Sequence, residues 1–161
     1  MTRGEAKGST SDGASGSPDR TASRPEEDVR SVLEILREAR AREAGQVAFY
    51  RRLARAAGEA GRDREAARLR ELRIDEERQL SALGSRLREF GSDPGELSIP
   101  DTPANLQGWE AEARAREAGE VAFYKAALAR EMDERTRVVL QGILEVERSH
   151  RESVAAAWRS T

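Results

Sequence analysis

The stretch Glu117 to Tyr124, EAGEVAFY, repeats Glu43 to Tyr50, EAGQVAFY, 74 residues further along the chain. Each copy is followed by a second acidic segment: Arg73 to Leu80 (RIDEERQL) after the first and Ile143 to His150 (ILEVERSH) after the second. The chain therefore reads as two equivalent halves, each a helix, a turn and a second helix.

Working outward from the first copy, Val29, Val32, Leu36, Ala39, Glu43, Val47, Tyr50 and Leu53 recur at steps of three or four, one stripe of a helix. Ser23 and Glu26 have capping-box spacing, and Pro25 suits a first helical turn, where its missing N–H costs nothing. Gly58 to Gly61 (GEAG) should break this helix, with Asp63 capping the next. That second helix is marked by Leu69, Leu72, Leu80, Leu83, Leu87 and Phe90, and Gly91 should stop it. Residues 91–102, with two prolines and two glycines, read as a linker. Thr102 before Pro103 signals a third helix carrying Leu106, Trp109, Ala113, Glu117, Val121, Tyr124 and Leu128. A turn at Met132 and Asp133, with Asp133 as cap, leads into a last helix striped by Val139, Ile143, Val146, His150 and Val154. The expected fold is all-α: a four-helix bundle over residues 25–161 made of hairpins 25–90 and 103–159. Before it, residues 1–24 have no Val, Ile, Leu or aromatic residue and read as a disordered tail.

Composition narrows the function classes. A chain of 161 residues suits one domain and one core. With 28 basic and 30 acidic residues, a net charge of −2 gives no support for nucleic acid or an anionic membrane as partner. The absence of cysteine removes disulfides, thiol catalysis, thiolate metal sites and iron–sulfur centres. No apolar run resembles a secretory signal or approaches the roughly 20 residues that span a bilayer, so a cytoplasmic location is expected.

The glutamates carry the functional reading. In an antiparallel hairpin, residues equally far from the turn lie level. The midpoint of Glu43 and Glu77 falls at position 60, inside GEAG, and that of Glu117 and Glu147 at 132, in the second turn. Packed together, the hairpins would bring these carboxylates into one layer, where they would repel one another or hold protons unless a cation neutralised them. Glu147 and His150 have the Glu-x-x-His spacing that sets a carboxylate and an imidazole on one helix face, as in di-metal carboxylate bundles. Tyr50 and Tyr124, two turns beyond Glu43 and Glu117, are placed to hydrogen-bond ligand carboxylates or simply to pack. Glu76 follows the apolar stripe as well as Glu77 does, so the inward carboxylate of the second helix is left open between them. Arg73, one turn before Glu77, supports a different outcome: a buried ion-pair network without metal.

With these residues in place, the chain from Val29 to Arg159 resembles the ferritin-like superfamily and is most similar to the di-iron domain of the rubrerythrins. The resemblance implies iron ligands at Glu43, Glu77, Glu117, Glu147 and His150. Leu80 stands where that family has its first histidine. Rubrerythrins carry an extra glutamate three residues after the third-helix ligand, here Glu120, whose counterpart in the first half is Gln46, so the resemblance implies that Glu120 replaces the missing imidazole. It implies two iron ions, with manganese acceptable to the same ligands, reacting with hydrogen peroxide or dioxygen as a peroxidase or ferroxidase. Without cysteine there is no rubredoxin module, so an external electron donor is expected. A homodimer is left open. So is the connection between hairpins, since a crossover along the bundle and an up-and-down order both level the glutamates. The alternative function is a degenerate ferritin-like bundle serving as a structural or interaction module, with Arg73 and Leu80 marking the lost site.

Overall fold

The computed structural model describes residues 24–97 and 104–158, with side chains for 26–97 and 104–155. The expected tail at residues 1–24, apart from Arg24, and the cap signals at Ser23, Thr102 and Pro103 lie outside these residues. Among the described residues there are four helices and no strand: α1 (Arg24–Glu59), α2 (Asp63–Glu89), α3 (Trp109–Leu128) and α4 (Glu134–Trp158). None is long and apolar enough to cross a membrane.

The turns follow from local chemistry. Gly61 and Gly91 take left-handed backbone (φ 71° and 70°), which lets the chain fold back onto the last carbonyls of α1 and α2. Arg62 N–H bonds the Ala57 carbonyl at 2.8 Å, and Ser92 N–H bonds that of Leu87 at 3.0 Å. Asp133 caps α4 as expected, its Oδ1 accepting from Thr136 N–H at 3.0 Å. Asp63 does not act as a cap: it is the first residue of α2, after Arg62, and no side-chain cap bond forms there. The third helix also starts later than its sequence suggests. Residues 104–108 are non-helical, the Asn105 side chain bonding Gln107 N–H at 2.9 Å, and α3 opens after Gly108 at Trp109.

Two apolar clusters fix the order of the helices. One joins Phe49, Leu53 and Ala57 near the first turn to Leu69, Leu72, Trp109, Ala113 and Val154. The other joins Val32 and Leu36 to Leu83, Leu87, Tyr124, Leu140 and Ile143. The start of α3 therefore sits beside the α1–α2 turn, while the end of α2 sits at the opposite end of the bundle. This resolves the open connection: it crosses over along the bundle, leaving α2 and α3 parallel. Its first residues are held to α1, where Arg40 donates to the carbonyls of Pro94 (2.6 Å) and Gly95 (3.0 Å), and Arg37 donates to Ser92 Oγ at 3.0 Å. Each buried leucine of these clusters is worth about 2–5 kcal/mol against truncation to alanine. Val29, read as part of the first stripe, is instead exposed, one turn beyond the packed end of α1.

Candidate metal centre

Between the two apolar clusters lies a layer of polar side chains. Glu43 from α1, Glu76 from α2, Glu117 from α3 and Glu147 from α4 are fully buried, with Gln79 and His150 beside them. The four helices bring these groups to one height because the hairpins level them. Ligand atoms of Glu76, Glu117, Glu147 and His150 lie within 4.8 Å of one another.

The carboxylate of α2 is Glu76, and Glu77 must be withdrawn from the candidate ligands. The Glu77 side chain is 44% exposed and pairs with Arg73 at 3.0 Å, whereas that of Glu76 is 0% exposed. A helix turns about 100° per residue, so only one of two neighbouring glutamates can face the interior. The one-residue shift also moves the comparison with histidine. Leu80 is not the counterpart of His150; Gln79 is, three residues after Glu76 as His150 is three after Glu147. Arg73 therefore neutralises a surface glutamate and not the buried layer.

The first-half tyrosine serves the second half, and the reverse. Tyr50 of α1 donates to Glu117 Oε1, and Tyr124 of α3 donates to Glu43 Oε1. Around them a second pair of crossing contacts closes the α1–α3 face. Arg42 donates from Nε to Glu120 Oε2 at 2.9 Å and lies 4.7 Å over the Phe123 ring. Arg116 donates to Gln46 Oε1 at 3.3 Å and lies 4.4 Å over Phe49. Glu120 is buried but its carboxylate is engaged by Arg42 and is not among the four converging ligand groups, contrary to its expected place as a direct ligand. On the α2–α4 side, His150 turns Nδ1 inward, 3.1 Å from Glu76 Oε1, and Nε2 outward, 3.4 Å from Asp75 Oδ2. A carboxylate on the outer nitrogen fixes the ring orientation of a ligating histidine. A surface cleft of about 430 Å³, lined by Glu71, Leu72, Asp75, Ser149 and Ser153, opens onto this ring.

The layer is electrostatically unfavourable as it stands. Burial, and after it the charge of Glu147, pushes Glu76 up to about 9. Burial and then Glu117 push Glu147 up to about 8; Gln79, lying against it, offsets only part of this without a well-formed hydrogen bond of its own. Glu43 is raised well above the ordinary range by burial, then by Glu76 and Glu147, against the Tyr124 hydrogen bond. Glu117 is raised by burial despite the Tyr50 hydrogen bond and the nearby His150. Burial and the adjoining carboxylates keep both tyrosines neutral.

Most of the inward atoms lack a well-formed hydrogen bond among the described residues: Glu43 Oε2, both oxygens of Glu76 and of Glu147, Glu117 Oε2 and His150 Nδ1. Buried polar groups are ordinarily paired, and orphans in such number at one spot ask for a specific cause. A layer of hard oxygen atoms with one imidazole nitrogen has the chemistry of a site for divalent first-row metals.

By sequence, the chain matches no protein-family model and no curated protein. By structure, it is similar to bacterioferritins. The bacterioferritin of Desulfovibrio desulfuricans, whose structures describe a diiron site in different catalytic states, superimposes with a TM-score of 0.76 at 20% identity, over 82% of this chain and 80% of that one. Two structures of the Mycobacterium tuberculosis bacterioferritin BfrA give TM-scores of 0.70 and 0.72 at 20% and 19% identity, over 89% of this chain and 86% and 85% of theirs. The fold is that of the bacterioferritin four-helix bundle.

Proposed function

We propose that the buried layer holds two iron ions and that the chain is a ferritin-like di-iron protein oxidising ferrous iron with hydrogen peroxide or dioxygen. The observation that carries this reading is the convergence, in one buried layer, of His150 Nδ1 with carboxylate oxygens that lack a well-formed hydrogen bond among the described residues. The diiron site of the D. desulfuricans bacterioferritin, on the same fold, supports it. Glu76 and Glu147, whose ligand atoms converge with those of Glu117 and His150, would supply carboxylate oxygens from α2 and α4. Glu117 and His150 would complete one position and Glu43 the other, where Gln79 offers only a neutral carboxamide. The two positions are therefore unequal, the His150 side being the stronger.

When bound, a ferrous pair supplies two electrons, enough to take hydrogen peroxide to water. The protein's own share is to place and tune the ligands. Glu76 and Glu147 hold protons at neutral pH and must release them as metal binds, so uptake is coupled to proton release. Tyr50 and Tyr124 fix one oxygen each of Glu117 and Glu43, and Asp75 orients His150. The apolar clusters close the layer above and below. Peroxide as oxidant belongs to the same proposal and draws on the rubrerythrin-like spacing of Glu117 and Glu120; return to the ferrous state needs an external electron donor, because no cysteine offers a built-in one. Manganese suits the same oxygen-rich set, and elemental analysis separates it from iron.

The test is the double substitution Glu147→Ala with His150→Ala. Metal content should fall sharply while the helical circular dichroism persists. Unchanged iron in a folded double variant would contradict the assignment. A metal-free bundle acting as an interaction module, the reading favoured by Gln79 at the histidine position, predicts instead no metal in the wild-type protein.

A further inference from the structure

Glu120 and Gln46 occupy equivalent places in the repeat, as do Arg42 and Arg116. In the first half the place is filled by a neutral side chain: Gln46 accepts from Arg116 and donates to Glu117 Oε1 at 3.5 Å, so it spans from the guanidinium to the carboxylate layer. In the second half the same place holds a carboxylate, and the guanidinium has captured it. Glu120 is buried on α3 one turn after Glu117, and yet turns Oε2 to Arg42. Arg42 is itself anchored from two sides, by Glu38 at 3.5 Å and by the face of Phe123.

We propose that Arg42 is a positioning residue that withholds Glu120 from the metal ligand set and thereby keeps the second metal position weak. The proposal rests on the metal-centre reading above. Its physical basis is charge. Four carboxylates balance two divalent cations; a fifth has no charge left to neutralise before metal binds, and a charge-assisted bond to a part-buried guanidinium is its competing resting place. The latch is specific to one half, because the equivalent Arg116 grips an uncharged carboxamide. It therefore acts on a centre already made unequal by Gln79 and His150.

Titration with cobalt(II), followed by calorimetry and by its visible ligand-field bands, tests the latch on the full-length protein. Arg42→Met keeps an apolar stem over Phe123 and removes the charge. It should tighten binding of the second cobalt by about three- to tenfold, the scale of a charge-assisted hydrogen bond discounted for partial exposure, and should change the visible spectrum as a carboxylate is added. The gain should vanish in Arg42→Met with Glu120→Gln, and Arg42→Lys should stay near wild type. A second variant does not depend on Arg42 tolerating change: Glu120→Gln alone, a side chain the repeat already accepts at Gln46, should leave both cobalt affinities within about twofold of wild type. Unchanged or weaker second binding in Arg42→Met, persistence of its gain without Glu120, or a tenfold loss in Glu120→Gln would each overturn the latch. Failure of the wild-type chain to bind cobalt would overturn the metal centre itself, and the latch with it.

Discussion

The hydroxyl of Tyr124 on α3 donates to the buried carboxylate of Glu43 on α1, while Tyr50 on α1 does the same for Glu117 on α3. Each hairpin thus orients a candidate ligand of the other, and the pairing ties assembly of the bundle to the geometry of the layer. Tyr124→Phe leaves Glu43 without the one interaction that lowers its pKa among its main influences. The expected result is a loss of about 1–2 kcal/mol in stability by urea denaturation and about tenfold weaker metal binding. Unaltered metal affinity would show that the tyrosine only packs.

The pH dependence of stability should run opposite to that of most proteins. Glu76 and Glu147 titrate near 9 and 8 in the folded chain against 4.5 for an ordinary glutamate. Between these limits the folded state binds more protons than the unfolded state. Stability of chelator-treated protein is therefore full below about pH 4.5 and declines as pH rises towards 9, by on the order of 1 kcal/mol per pH unit for each group. Metal-loaded protein, with its ligands already deprotonated, should not show this decline. Denaturation midpoints at pH 5.5 and 8, with and without metal, check both signs; a chelator-treated chain more stable at pH 8 would contradict the protonated layer.

Gln79→His would give the first half the imidazole that the second half has in His150. The second metal should then bind about tenfold tighter or better, approaching the first. Anaerobic ferrous titration measures the two steps. No change in the weaker step would mean that Gln79 does not face a metal position.

Away from the centre, buried Arg86 ties the end of α2 to the start of α4. It donates to Thr136 Oγ1 at 2.9 Å and to Asp133 at 2.6 Å, pairs with Glu89 and lies 4.4 Å over the Phe90 ring. Burial alone would raise the Asp133 pKa, but the hydrogen bonds from Thr136 and Arg86 lower it to about 2. Its contribution is present above about pH 3.8 and is lost as pH falls through 2. Asp133→Ala should cost about 1–2 kcal/mol in urea without changing metal affinity, since it is remote from the layer. Arg86→Ala should cost more, as it leaves the buried Thr136 Oγ1 without its donor and uncovers Phe90.

How much of this was legible in the sequence depended on how many residues each inference averaged over. The four helices, the Asp133 cap and the buried Glu43, Glu117 and Glu147 followed from long stripes and a repeated octapeptide, which many residues support at once. The choice between Glu76 and Glu77 rested on one residue, and turn-midpoint arithmetic cannot resolve a 100° difference in facing. A signal was present. Leu69, Leu72, Glu76, Gln79 and Leu83 of α2 correspond to Leu140, Ile143, Glu147, His150 and Val154 of α4, each 71 residues apart and each pair buried. Aligning the second helices to each other, independently of the first helices, selects Glu76 and identifies Gln79. The engagement of Glu120 by Arg42 had no such signal, because it is a side-chain choice between two nearby partners. The late start of α3 was hidden because Leu106 packs against the core from a non-helical segment.

Anaerobic ferrous titration of the purified wild-type chain, with elemental analysis of the product, decides whether the carboxylate layer is a two-metal centre with unequal halves. Two irons per chain should bind in two resolved steps, the tighter one abolished by His150→Ala. A folded chain that takes up no iron, or whose iron survives loss of both Glu147 and His150, would contradict it.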